Sequence, residues 1–168
     1  MPAGQNFSHY LRSLQILFFA LMAGQIMVCL MLWVIRKDTG TPEYQEDLWL
    51  QALGIFTLLL LGGSIFFRKK MVENARAQKK LSDKFAQYRQ SLVISWALME
   101  GATMVNAIFF FLSGKMEFLY LAGAVIGFFA TQAPLRARGI YDLELSWAEQ
   151  NSLDDPDAAV MDPPAGGD

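Results

Sequence analysis

Cysteine and histidine are nearly missing from this sequence, and each shortage closes off a kind of chemistry. Cys29 is its one cysteine, so no disulfide can form within the chain and the redox compartment stays undetermined. His9 is its one histidine and lies ahead of the first long apolar run. Histidine-based metal sites and Ser-His-Asp triads therefore lack the residues to build them. No glycine-rich phosphate loop is present. Charge is scarce as well: Asp, Glu, Lys and Arg make up 18% of the 168 residues, where a soluble domain carries about 25%. Hydrophobic residues make up 54%. This composition excludes a disordered chain, an ordinary soluble α/β enzyme and a disulfide-stapled secreted module. No catalytic residue, metal ligand set or cofactor is expected.

What the sequence does have is four long apolar blocks. The first, Leu14–Ile35, has only Gln15 and Gln25 as strongly polar residues. The second, Leu48–Phe67, carries no charge, and the third, Ser91–Leu112, carries one, Glu100. A hydrocarbon core of about 30 Å needs about 20 helical residues, so each of these spans. The fourth, Phe118–Ala133, would rise only about 24 Å as a helix. It is expected to recruit Met116, Glu117 and Leu135 and to span 116–135. Backbone groups in lipid must be satisfied within the segment, so the spans are helices. None alternates with period two, which excludes a small barrel. The first block is too long for a signal-peptide core and reads as an uncleaved anchor. The predicted fold is all-α and polytopic: four transmembrane helices in two tandem hairpins within residues 1–138.

Basic residues set the orientation. Arg12, the eight Lys and Arg residues of loop 68–90, Arg136 and Arg138 fall on one side of a four-span chain. Arg36, Lys37 and Lys115 fall on the other, a split of eleven to three. The positive-inside rule then places both termini and loop 68–90 in the cytoplasm. Between Ser64 and Glu100 there is no Gly and no Pro. The second and third spans are thus expected to continue as a cytoplasmic helical hairpin turning near Gln78–Ser82, with Leu81, Phe85, Tyr88 and Leu92 at helical spacing. Its basic residues fix topology and can touch anionic headgroups. A net charge of −2 with no recognition motif argues against nucleic acid as a partner. Residues 139–152 read as a short amphipathic cytoplasmic helix with Ile140, Leu143 and Trp147 on one side, lying on the membrane or on the hairpin. Residues 153–168 read as a disordered acidic tail.

Two features inside the spans invite a role. Glu100 sits about 13 Å into the third span, where a charged carboxylate costs several kcal/mol and should face the bundle, be protonated or find a partner. Thr103 and Asn106 roughly share its face, and Gln25 is a candidate partner from the first span. These four form a candidate proton, cation or packing site. The second feature is a partial repeat. Phe19–Val28 and Trp96–Val105 match at six of ten positions at an offset of 77 residues. It carries Ala20-xxx-Gly24 and Ala97-xxx-Gly101, small pairs one turn apart, as does Gly123-xxx-Gly127 in the fourth span. Such pairs are expected where helix backbones approach.

The segment Ala97-Leu98-Met99-Glu100-Gly101, two tandem hairpins and a length near 160 residues resemble the duplicated proteolipid, or subunit c, family of rotary ATPases. That resemblance implies a ring-forming subunit with Glu100 as ion carrier. The sequence departs from it in bulky helices, a long loop 68–90, and a carboxylate on the first helix of its hairpin, not the second. The stretches LQILFFALMAGQ, YRQSLVISWALMEGATMVNAIFFFLSG and YDLELSWAEQ resemble a group of small uncharacterised bacterial four-span inner-membrane proteins, which implies the same topology and no particular activity. The expectation is an integral membrane protein of structural or accessory role without catalysis, whose partners are the lipid bilayer and a second copy or another membrane protein. The alternative is a small proton- or cation-coupled transport component using Glu100.

Overall fold

The computed structural model describes residues 7–37 and 47–154, and the elements among them are all helices. In chain order they are α1 (Phe7–Lys37), α2 (Asp47–Arg76), α3 (Leu81–Ser113), α4 (Met116–Ala130), α5 (Arg136–Leu143) and α6 (Trp147–Asp154). α1, α2 and α3 are long and apolar enough to cross a membrane. Their outward side chains fit a lipid solvent: Phe19, Met27 and Leu30 on α1 and Leu48, Ile55, Leu58 and Leu59 on α2 are all exposed. So many large apolar groups facing outward on neighbouring helices mark a membrane-contact surface. In α3, 44% of the most apolar window is buried, against 17% in α1 and in α2, so α3 is the inner helix.

α4 covers residues 116–130 of the expected fourth span 116–135: it has 15 residues and stops at Ala130. The Thr131 and Gln132 N–H groups donate to Phe128 and Phe129 carbonyls three residues back, and the Thr131 hydroxyl takes the Phe128 carbonyl at 2.6 Å. This tightened last turn meets Pro134, which has no N–H and disfavours helix at Ala133. The helix rises about 22 Å. Residues 139–152, expected as one helix, are divided between α5 and α6. Glu144 adopts φ 49°, its N–H donates to Tyr141 O, and the Leu145 N–H donates to Ile140 O. This pair of bonds is a Schellman termination with glutamate in the usual glycine position. Of the tail expected over 153–168, Leu153 and Asp154 close α6, and residues from 155 on lie outside the described residues.

The chain divides into two compact units. One comprises Met1–Phe18, Phe67–Val93 and Pro134–Asp168, the other Phe19–Phe66 and Ile94–Ala133. In the first, the α2–α3 hairpin turns through residues 77–80, and Phe7, Tyr10 and Phe85 pack ring against ring. The Tyr10 hydroxyl donates to Phe85 O at 2.9 Å, so its polar end is satisfied inside the apolar cluster. Tyr88, Leu92, Leu143, Leu145 and Leu153 complete this core. Trp147, expected on the apolar side, is 77% exposed.

In the second unit, α3 and α4 meet where Ala107 and Ala122 are wholly buried, with Cys29 of α1 beside them. Phe110 and Phe118 pack with Leu53 of α2, and Trp96 faces Phe129 with ring centroids 6.3 Å apart. The α3–α4 turn depends on Gly114. Its φ is +72° and its N–H caps Phe110 O at 2.7 Å, while a Cβ there would stand 2.9 Å from the Arg36 guanidinium. Left-handed backbone costs a side-chain-bearing residue about 1–2 kcal/mol. Gly114→Ala is therefore expected to lower the unfolding midpoint in detergent by several degrees, whereas Gly123→Ala, where a Cβ meets nothing within 4 Å, leaves it unchanged.

Candidate functional site

Polar side chains inside the apolar helices are the first place to look for chemistry, because lipid offers them no alternative partner. In the second unit Gln25, Thr103 and Asn106 are fully buried and Thr57 nearly so. The Thr103 hydroxyl is 3.1 Å from Gln25 Oε1, which joins α1 to α3. Asn106 Nδ2 donates to Thr57 Oγ1 at 2.7 Å, which joins α2 to α3, and also to Ala102 O at 2.8 Å, back along its own helix. The second proton of that amide thus turns a cross-helix contact into a fixed rotamer. Gln25 Nε2 and Asn106 Oδ1 have no hydrogen-bond partner among the described residues.

Of the four residues singled out as a candidate site, three come together and Glu100 does not. Glu100 is half-buried and makes no hydrogen bond or ion pair with a described residue, and Gln25 is bonded to Thr103 in its place. Helical geometry gives the reason. At 100° per residue Asn106 lies 120° around α3 from Glu100, so the two do not share a face. Thr57 completes the cluster, although the sequence reading did not include it. Its signal was available, as one hydroxyl in the otherwise apolar run Gly54–Leu61.

The small-residue pairs are also placed differently. Ala20, Gly24, Ala97, Gly123 and Gly127 are exposed, Gly101 is half-buried, and a Cβ at Gly24, Gly101, Gly123 or Gly127 would meet nothing within 4 Å. These pairs are not where helices of this chain approach each other. The close contacts fall to Ala102, Ala107 and Ala122, all wholly buried. Ala102 and Ala122 each sit beside one of the expected glycines, one residue and 100° away.

A second concentration of polar groups lies in the first unit. Asp142 of α5 accepts from the Arg68 guanidinium at 2.7 Å and from the Tyr88 hydroxyl at 3.1 Å, while its backbone carbonyl accepts from Arg76 at 2.6 Å. Arg76 also pairs with Glu144 at 2.6 Å, and Lys84 with Glu149 at 2.6 Å. The Arg68–Asp142 side chains are 12% and 19% exposed, those of Arg76–Glu144 35% and 66%. Only the sheltered pairs escape solvent screening, so Asp142 and Glu149 hold α5 and α6 far more than Glu144 does. Glu149 has a further task. Its carboxylate accepts from the Ser146 N–H at 2.8 Å and from the Ser146 hydroxyl, while its own N–H donates to Ser146 Oγ. This is a capping box at the start of α6, and its Ser-x-x-Glu signature stands in the sequence at 146–149.

No protein-family model, curated protein or solved structure matches this chain. Its function is therefore argued from these two clusters. Among the described residues no group of three His, Cys, Asp or Glu side chains is placed to hold a metal ion.

The first unit carries a pH dependence. Burial pushes the Glu149 carboxyl up, but its bonds to Lys84 and Ser146 outweigh that and hold it below the usual range. A carboxyl lowered in the folded state stabilises at neutral pH, and that contribution is lost as pH falls through its folded value. Protection of the α6 amides from hydrogen exchange is expected to fall as pH drops through the ordinary glutamate range and below it. In Glu149→Gln it should be weak at pH 7 already and flat with pH.

Proposed function

We propose that this chain is a four-span inner-membrane protein of structural or accessory role, with both termini and the 68–90 hairpin in the cytoplasm, that acts through its cytoplasmic surface and without catalysis. The observation that carries this reading is the pairing of the intramembrane polar groups. Gln25 with Thr103 and Thr57 with Asn106 are bonds from helix to helix, the work of polar residues that set packing in lipid. The basic residues supply the orientation, and α4 is taken as the fourth crossing. At about 22 Å it is shorter than the hydrocarbon core, a mismatch met by local thinning of the bilayer and by Lys115 reaching to the interface. The paired α5 and α6 give the cytoplasmic side a built surface for a membrane-protein partner.

A second reading has one observation in its favour. The Glu100 carboxyl group has no hydrogen-bond or ion-pair partner among the described residues and lies at the edge of the buried face of α3. This favours a small proton- or cation-coupled transport component, working as a homo-oligomer with Glu100 at the interface.

Topology is tested in intact cells with a membrane-impermeant maleimide, using Cys29→Ala as background. Lys115→Cys is expected to label from outside, and Lys80→Cys only after lysis. The reverse pattern, or outside labelling of both, defeats the proposed orientation. Glu100→Gln separates the two roles. The structural reading expects an unchanged unfolding midpoint, unchanged copurifying partners and no altered proton flux in liposomes. Loss of a flux that wild type shows, together with pH-dependent carbodiimide labelling of Glu100, establishes transport instead.

A further inference from the structure

The polar cluster of α1, α2 and α3 is incomplete in a way that specifies a ligand. Gln25 and Asn106 are both 0% exposed, and each keeps one amide atom, Gln25 Nε2 and Asn106 Oδ1, without a hydrogen-bond partner among the described residues. An unmade hydrogen bond on a buried amide leaves its desolvation uncompensated. Thr103, which contacts Gln25, and Asn106 are three residues apart and share one turn of α3. The two unmatched atoms therefore sit on side chains linked through Thr103 and one turn of α3. We propose that Gln25 and Asn106 together hold one water molecule between α1 and α3, and that this water closes the network joining the three helices.

The chemistry of the two amides selects water over an ion. The Asn106 orientation is fixed, because turning its amide over would set Oδ1 against the Ala102 carbonyl, now 2.8 Å from Nδ2. Asn106 thus offers an acceptor. Gln25 is different. The single Thr103 hydroxyl proton has two acceptors at 3.1 Å, Gln25 Oε1 and Met99 O. When the proton goes to Gln25, Nε2 is left to offer a donor. When it goes to Met99, the Gln25 amide can turn so that Nε2 donates to Thr103, and Oε1 is offered instead. The occupant must accept or donate at Gln25 while always donating at Asn106. Water does both, and buried waters serve this purpose in proteins, with two to four polar partners each. A metal cation would face an N–H in the first arrangement and has no carboxylate ligand in either. An anion would face Asn106 Oδ1. Ser95 Oγ, also buried without a hydrogen-bond partner among the described residues, lies eleven residues before Asn106, about 16 Å along α3, and is outside the site.

The experiment uses the full chain, labelled with nitrogen-15 on Gln and Asn side chains, in lipid vesicles. Water-edited solid-state NMR is expected to transfer magnetisation from water to both side-chain amides, and Asn106→Leu should abolish the transfer at Gln25. A Gln25→Met, Asn106→Leu double-mutant cycle on unfolding in detergent provides the second arm. Gln25 and Asn106 share no direct bond, so independent sites give additive effects. A bridging water makes the double variant's unfolding constant differ from the additive value by threefold or more. The proposal is overturned by an absent water signal, by a direct Gln25–Asn106 correlation, by additive variants, or by sodium-dependent shifts of either amide. Should Asn106→Leu fail to fold, the wild-type water transfer alone decides.

Discussion

One face of α3 has to remain buried along almost the whole helix, and the other elements are arranged by what it needs. Phe85, Tyr88, Leu92, Ser95, Met99, Ala102 and Asn106 recur at alternating spacings of three and four residues, and none is more than 3% exposed. That spacing keeps a seam on one side of a helix. The character of the seam changes along its length. It is aromatic at Phe85 and Tyr88, where Tyr10 and Asp142 supply polar ends, small at Ala102, and amide at Asn106. A rotation of α3 by one residue would carry Asn106 and Thr103 out of reach of Thr57 and Gln25. Each would keep only its bond back along α3, to Met99 O and Ala102 O, and the cross-helix bonds would be lost.

The polar contacts act more on specificity than on stability. Hydrogen bonds between transmembrane helices average about 0.6 kcal/mol, because a helix in the membrane finds other partners when it is separated. A few such bonds do not hold three helices together. Stranding an amide in lipid costs several times more, so the bonds eliminate alternative registers. The apolar contacts around Ala107, Ala122, Phe110 and Phe118 supply close packing without selecting a register. The amide of Asn106, bonded to Thr57 and Ala102, makes the selection.

How much of this the sequence discloses depends on the solvent each face meets. The long apolar helices and the stripe Phe85, Tyr88 and Leu92 are legible, because lipid length and helical period leave a clear trace, while the turn falls at residues 77–80, slightly ahead of the expected Gln78–Ser82, and Leu81 is only half-buried. The stripe stops being visible beyond Leu92. There the outward residues are as apolar as the inward ones, and periodicity carries no contrast. The same loss explains the glycines. Gly101 and Ala102 are equally small, and only packing reveals that Ala102 is the one buried. Glu100 is the single charge in the spans, yet the neutral Gln25, Thr57, Thr103 and Asn106 form the cluster. The Ser146–Glu149 capping box and the Pro134 stop after α4 are local signals and were readable without the structure.

The basic residues of loop 68–90 divide into two groups, which a tally by sign conceals. Arg68, Arg76 and Lys84 are matched to Asp142, Glu144 and Glu149. Lys69, Lys70, Lys79, Lys80 and Arg89 are exposed. A charge matched within the protein is spent before a membrane can feel it, while an exposed lysine near an anionic leaflet is worth about 1 kcal/mol. In the proposed topology the second group holds the hairpin toward the cytoplasmic leaflet, and the first anchors the C-terminal helices to the hairpin. The acidic residues of α5 and α6 also keep those three cations from strengthening the membrane attraction. The two groups are thus separable by substitution: one set governs whether α5 and α6 stay docked, the other how strongly the hairpin favours its side of the bilayer.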